Sequence, residues 1–501
     1  MQITRTNVLS RATLIALAAG LAVLGQPALA APAKPAEPPK GKVGKYDNNA
    51  ALSQRTDSQK TLVVMIHGFD DTPAMWGDLR ATMNGRRILP AGTAVWQYDW
   101  RTDAAGTFGP GLGNLGANFI DAIGATGGQA DNLLHQIITK GRIGGEGQWD
   151  HVHLISHSLG APINEWAARG LKKYGVKTVQ QTFLDPAIDP NGAMGKVFGA
   201  TADVAENYFA SGGALGVVGF TGHTFKSAVN VDAAATTRYF PAVQPREHHK
   251  WPVEWYEQGI HGSGVVDLGP VPKSTYGRYG WGYSFERAEQ VGKPWPFADA
   301  GKHNRGRLFT LDKDTGFTDT SKMLSFLPEQ ERTPDVSIDA TAGMANARYT
   351  DGRVTGLDLA ALGTERSWTI LNVDTRGDGP IDTMTFSYSF ADSGLSQRDG
   401  MLSVLVAYEF EGAYQWLEIF SARQSFNLAG SEDQFSEPVS LWQTFEDGEY
   451  AVAFVFESLD GQASAIAIND ITFWNYGTVP APGATALIGL GCLVASRRRR
   501  D

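Results

Sequence analysis

The chain has 501 residues, enough for two or three domains. Its 43 basic and 53 acidic residues give a net charge of −10, which supplies no reason to expect a nucleic-acid partner. The only cysteine is Cys492, so an intramolecular disulfide is excluded and each domain must rest on its apolar core.

Residues 1–30 read as a secretory signal peptide. Arg5 and Arg11 form a positive start, Ala12 to Leu24 is apolar, and Ala28-Leu29-Ala30 fits a cleavage site. Residues 31–58 are rich in Pro, Ala and Lys and then polar, as expected of a solvated linker with little to bury.

A first folded unit is expected over 59–300. Thr61 to Ile66 is a continuous apolar run that suits a strand buried on both faces of a parallel sheet. It ends in His67-Gly68-Phe69, and a Gly-containing loop at the carboxyl end of such a strand is where α/β sheets place their chemistry. Met75 to Met83 has helical spacing, Ala94 to Trp100 is a second strand, and Gly106 to Gly116 is a Gly-rich loop. That loop lacks the Lys and Ser/Thr of a phosphate-cradling loop. Asn118 to Lys140 has the apolar spacing of a long helix. Alternating strands and helices predict a mostly parallel sheet covered on both faces.

His151 to Pro162 (HVHLISHSLGAP) then reads as strand, sharp turn and helix, the setting of a nucleophilic serine at Ser158. The positions two before and two after must be small. Gly160 meets the demand, and Ser156 is small enough to replace the usual glycine. The helix N-terminus offers N–H groups to an oxyanion. His151 and His153 share a strand face, but no third metal ligand is evident nearby, so no metal is expected. Val179 to Leu184 is a further strand ending in Asp185-Pro186-Ala187, where a carboxylate can orient a histidine; Asp189 is its rival. Asn191 to Lys226, rich in Ala, Gly and Phe, is expected to be either a mobile apolar cover or a buried insertion. Ser227 to Asp232 is strand-like. His248 and His249 open a helix-like segment, and spacing favours His249. The order Ser158, Asp185, His249 is that of the α/β-hydrolase fold.

Ile66-His67-Gly68-Phe69, Tyr98-Asp99-Trp100, His157-Ser158-Leu159-Gly160-Ala161 and Leu184-Asp185-Pro186-Ala187 each resemble the pancreatic-lipase-like family of secreted lipases. The spacing from His249 to Trp255-Tyr256 fits too, and the resemblance covers about residues 60–260. It implies Ser158 as acyl nucleophile, His249 as proton carrier and Asp185 as its orienting carboxylate. It also implies an oxyanion hole from the backbone N–H groups of Phe69 and Leu159, with His67 and Gly68 in the substrate-binding loop. His67 is expected to shape that loop rather than act on a proton.

Residues 301–335 are expected to connect the two halves, with Glu329 to Asp335 as linker. From 336 to 476 the pattern turns to β: Trp368 to Val373, Thr383 to Phe390, Met401 to Tyr408, Gln415 to Ile419, Val439 to Phe445, Tyr450 to Glu457 and Ser464 to Trp474. Asp-Gly turn signals separate several of them, which predicts a two-sheet, jelly-roll-like accessory sandwich. Its last strand resembles the closing strand of carbohydrate-binding modules, implying calcium or sugar binding; the bland alternative is a spacer.

The tail, 477–501, holds Val479-Pro480-Ala481-Pro482, an apolar stretch and the Arg497–Arg500 cluster. It resembles the PEP-CTERM sorting signal of Gram-negative bacteria, with Ala481 where that signal often has Glu. The resemblance implies export, processing by an exosortase-type enzyme, transient membrane attachment and an extracellular or cell-surface location. A plain membrane anchor is the alternative. The expectation is a secreted serine ester hydrolase (lipase or carboxylesterase) acting on lipid or other esters without a cofactor, with a surface polysaccharide as a candidate partner of the sandwich. Its rivals are a phospholipase A1-type acyl hydrolase and an inactive surface-binding protein on a hydrolase scaffold.

Overall fold

The computed structural model describes residues 37–38, 51–85, 89, 92–105, 117–142, 148–188, 197–213, 220–241, 243–261, 305–312, 316–324, 329–363, 365–391, 399–410, 413–424, 434–435 and 438–476. The signal peptide, most of the 31–58 linker, the 106–116 loop and the C-terminal tail lie outside them.

Strands β1 (Thr61–Ile66), β2 (Thr93–Tyr98), β3 (His151–His157), β4 (Thr178–Leu184), β5 (Val204–Phe209), β6 (Val229–Asp232), β7 (Arg307–Asp312) and β8 (Gly316–Met323) form one sheet in the order β2-β1-β3-β4-β5-β6-β7-β8. The first seven run parallel and β8 is antiparallel. Helices α1 (Gly77–Gly85), α2 (Ala117–Gly141), α3 (Gly160–Lys173) and α4 (Pro245–His261) flank it. Leu62, Val64, Val152 and Leu154 join the core cluster containing Ile123, Ile137, Ile163 and Leu171 of α2 and α3. Val63, Met65 and Ile155 pack on the opposite face with Leu79, Trp251 and Trp255 of α1 and α4. All seven residues of β3 are buried, the two-sided burial that makes a central parallel strand read as an unbroken run.

One expectation needs correction: the 301–335 segment is more than a connector, because β7 and β8 extend the first sheet. Of the two alternatives for Asn191 to Lys226, the described residues match the buried one: they contain β5, an interior strand buried at every residue, so Tyr208 and Phe209 are core. Of that stretch, 191–196 and 214–219 lie outside the described residues.

The second half is a sandwich of antiparallel sheets. Strands β10 (Asp335–Ala342), β13 (Arg366–Asp374), β19 (Glu449–Ser458), β15 (Gly400–Phe410) and β16 (Ala413–Arg423) make one sheet in that order. The other runs β11 (Met344–Thr350), β12 (Arg353–Ala361), β20 (Ser464–Asn475), β14 (Ile381–Phe390) and β17 (Gln434–Phe435), with β18 (Val439–Phe445) on β14 and β9 (Gln330–Arg332) on β20. Leu371, Val404, Phe454, Phe386 and Ile468 fill the space between the sheets. β10, β11 and β12 were not among the predicted strands. The largely exposed, alternating β11 (MANARYT) gives little apolar signal.

The two halves touch through α2 and α3 against the sandwich. Lys173 donates to Tyr388 Oη at 3.3 Å, and Ser421 donates to Asp131 at 3.3 Å. Gly127 on α2 lies against Glu418 and Ser421, where a Cβ would stand 3.0 Å from each. A cavity of about 80 Å³ remains between Asp131, Arg169, Lys173, Tyr388 and Arg423.

Candidate active site

Parallel pairing of β1, β3 and β4 brings their carboxyl ends to one edge of the sheet. Just past each end stands a non-glycine residue with left-handed backbone: Asp70 (φ 55°), Ser158 (φ 53°) and Asp185 (φ 41°). Such backbone is held only where surrounding structure over-determines it, and it gathers at functional sites. Ser158 N donates to Leu184 O at 3.2 Å, while Ser158 O accepts from Ala161 N and Ala187 N at 3.0 Å each. The turn at the serine is thereby tied to the helix behind it and to the acid-bearing loop beside it.

The closeness of strand and helix explains the small residues. A Cβ on Gly160 would stand 2.7 Å from His67 O and 2.8 Å from Ile66 O. Ser156 fits in place of a glycine because its hydroxyl is used: Asn164 Nδ2 donates to it at 2.9 Å, and Gln181 donates to Asn164 Oδ1 at 3.0 Å. Helix α3 begins at Gly160 with no side-chain cap, leaving N-terminal N–H groups beside Ser158.

His249 lies in α4, which is anchored by buried Trp251, Trp255 and Tyr256. His249 Nδ1 donates to Asp185 Oδ2 at 2.6 Å. The opposite ring nitrogen, Nε2, is buried and makes no hydrogen bond among the described residues. The tautomer is thus fixed with an acceptor left over, the condition for a general base. His248 is also buried but has no such bond among the described contacts, and burial lowers its pKa. Of the two, His249 is the one bonded to Asp185.

The loop after β1 packs onto Ser158. A Cβ on Gly68 would stand 2.7 Å from Ser158 Cβ. His67 holds this loop from behind. Its Nδ1 donates to Gly68 O at 2.9 Å, its Nε2 accepts from Trp100 N at 3.2 Å, and its ring stacks on Trp100 at 5.6 Å. Burial lowers the His67 pKa. His67 is fully buried with both ring nitrogens engaged, and it positions the loop.

His157 was not singled out from the sequence as part of the site. It packs on His249 with ring centroids 4.6 Å apart, and its Nε2 donates to His249 O at 3.3 Å. Burial, and then the neighbouring His249, hold its pKa well below the ordinary imidazole value. Lys250 pairs with Asp71 at 2.6 Å, tying the histidine helix to the loop after β1. The signal available in the sequence was its adjacency to Ser158. Its long-range contact with α4 was invisible there. Phe69, the expected oxyanion donor, packs edge-on to Phe119, which in turn meets Phe220, making an aromatic wall beside the loop.

His151 and His153 are buried at the amino end of β3, an interior strand of the sheet. Burial pushes His151 down to about 4, and His153 donates to Thr182 Oγ1 at 2.9 Å, which in turn donates a hydrogen bond to Glu206 Oε2 at 3.3 Å. In the sandwich, Asp470 of the closing strand (φ 53°) accepts from Ser387 Oγ at 2.9 Å at an irregularity of the β14–β20 pairing. Its carboxylate is engaged as a bulge residue.

No family model and no curated protein matches the chain. Solved structures similar to part of it include carbohydrate-binding modules. A non-crystalline-cellulose-specific module, CBM28, is 11% identical over 26% of this chain and 79% of its own, with a TM-score of 0.18. The CBM22-1 xylan-binding domain from Paenibacillus barcinonensis Xyn10C is 10% identical over 31% of this chain and 97% of its own, with a TM-score of 0.19. The mannan-recognising TmCBM27 is 12% identical over 30% of this chain and 97% of its own, also at 0.19. At these scores the likeness carries no argument about ligands. The sandwich rests on its own strand pairing.

Proposed function

We propose that the chain is a secreted serine ester hydrolase of lipase or carboxylesterase type, acting through an acyl-enzyme on Ser158. The observation that carries the reading is the 2.6 Å Asp185–His249 hydrogen bond, with the second ring nitrogen of His249 unbonded among the described residues, and with Ser158, held at φ 53°, tied through Ala187 N to the loop that bears Asp185. Nothing in a scaffold role calls for that combination.

In this reading His249 Nε2 takes the Ser158 proton as Oγ attacks the ester carbonyl. Asp185 holds the tautomer and stabilises the imidazolium. The negative oxygen of the tetrahedral intermediate is met by the backbone N–H groups of Leu159 and Phe69, each such donor being typically worth ~3 kcal/mol. The imidazolium then protonates the leaving alcohol, and water repeats the sequence to release the acid. No cofactor or metal is required for these steps. The resemblances stated for the sequence support export and an exosortase-processed, surface-directed tail. A surface polysaccharide remains the proposed ligand of the sandwich.

The test is labelling of the mature protein with a fluorophosphonate, mapping of the adduct, and hydrolysis of short- and long-chain nitrophenyl esters, with Ser158→Ala and His249→Ala as controls. A label on Ser158, with activity lost in both variants, is expected. No label and no turnover at any chain length would refute the reading and favour a binding protein on a hydrolase scaffold.

A further inference from the structure

The five-stranded sheet of the sandwich is apolar on both faces. Its inner face carries Leu371, Val404 and Phe454, while Trp368, Ile370, Leu405, Ala451, Ala453 and Val455 form a separate buried cluster on the outer face. A sheet whose second face meets water shows alternation instead. Helix α2 packs against β16 at one side of this sheet. At the other side, Arg366 opens β13 on the same face as Trp368, by the two-residue period of a strand.

Arg366 reaches the linker. Its guanidinium pairs with Glu37 at 2.5 Å and donates to the Pro38 carbonyl at 3.0 Å, with Glu457 3.9 Å away. Pro38 is buried, and the Arg366 side chain is only 13% exposed. Further along, the linker is bonded to the hydrolase half. Leu52 is buried, with its N–H donating to Gln136 Oε1 at 3.1 Å, and Arg55 Nε donates to Gly141 O at 2.6 Å, both on α2. About 14 residues separate Pro38 from Leu52, a reach of at most ~50 Å.

We propose that the segment before β1 is held on both halves, by Glu37 and Pro38 on the sandwich and by Leu52 and Arg55 on α2, and so serves as an interdomain strap. It clasps the sandwich to the hydrolase half and occupies one end of the outer sheet face. The inference does not depend on the hydrolase reading. The exposed Glu37 carboxylate contributes little by itself. The hold comes from the buried proline with its charge-assisted hydrogen bond, and from a tether that keeps the segment at high local concentration.

The test uses the mature chain with Arg366→Lys, which keeps the positive charge and supplies an amine for a zero-length carbodiimide. Peptide mapping should find amide links from residue 366 to Glu37 and to Glu457, with the first lost in Glu37→Gln. A 366–457 link without a 366–37 link would overturn the proposal, because the Glu457 link shows that the amine is competent. Deletion of 31–45 serves as the second arm and leaves every strand intact. It should lower or split the unfolding transition by at least ~3 °C. A calorimetric trace superimposable on that of the parent would equally refute a strap.

Discussion

Replacing Gly68 by alanine tests whether the loop after β1 truly bears on the nucleophile. The added Cβ would stand 2.7 Å from Ser158 Cβ, 3.1 Å from His157 O and 3.3 Å from His157 Nδ1. Ordinary contact between such carbons is ~3.5–4 Å, so about 1 Å of displacement must be absorbed. The loop is braced by His67 and Trp100, and the serine by its bonds to Leu184, Ala161 and Ala187. Neither side yields freely, and the shift falls on the distance between Ser158 and the oxyanion donors. A misplacement of that size lowers turnover by about 10²-fold. Nitrophenyl-ester kinetics of Gly68→Ala should show kcat reduced by about that factor, with KM little changed and a folded circular dichroism spectrum. A kcat within ~3-fold of the parent would refute the packing argument. A general collapse of the fold would show as a lost melting transition.

Three further outcomes follow from the same geometry. Asp185→Asn should lower kcat by about 10⁴-fold while leaving the fold intact, because an amide can donate to Nδ1 and so lock the wrong tautomer; retained activity would remove Asp185 from the triad. His248→Gln should keep activity within ~10-fold, whereas His249→Ala should abolish it; the reverse pattern in the ester assay would reassign the base. At the interface of the two halves, burial pushes Glu418 up to about 8 and Asp131 up to about 7; Ser403, Asp131 and Glu457 also act on Glu418, and Arg423, Ser421, Asp399 and Lys173 on Asp131. Both carboxyls bind protons more tightly docked than undocked. Docking is therefore favoured below their ordinary values and weakens as pH rises through about 7–8. Small-angle scattering should show a larger radius of gyration at pH 9 than at pH 6, and a double Asp131→Asn, Glu418→Gln variant should lose that dependence. An identical profile at both pH values in the parent would contradict it.

The sequence by itself determined those features whose physics is local. Thr61–Ile66 and His151–His157 are runs apolar enough to need burial on two faces, and Val439–Phe445 carries the period of a strand. The small residues around Ser158 announced a tight strand–helix turn for the same local reason. Strand β5 (VAENYF) was missed because Glu206 and Asn207 interrupt its apolar pattern; their side chains bond to distant partners, Thr182 for Glu206 and His223 and Asn230 for Asn207. β7 and β8 were missed because their place in the first sheet depends on pairing with β6, more than 70 residues earlier. Spacing favoured His249 over His248, but only the tertiary structure shows which of them bonds to Asp185, because that hydrogen bond spans 64 residues. The same holds for His67, whose buried ring is engaged by Trp100, and for Arg366, whose partner lies 329 residues away. Periodicity records which face of an element seeks burial. Which distant group meets it there is set by chain topology, and that is where this site acquired its geometry.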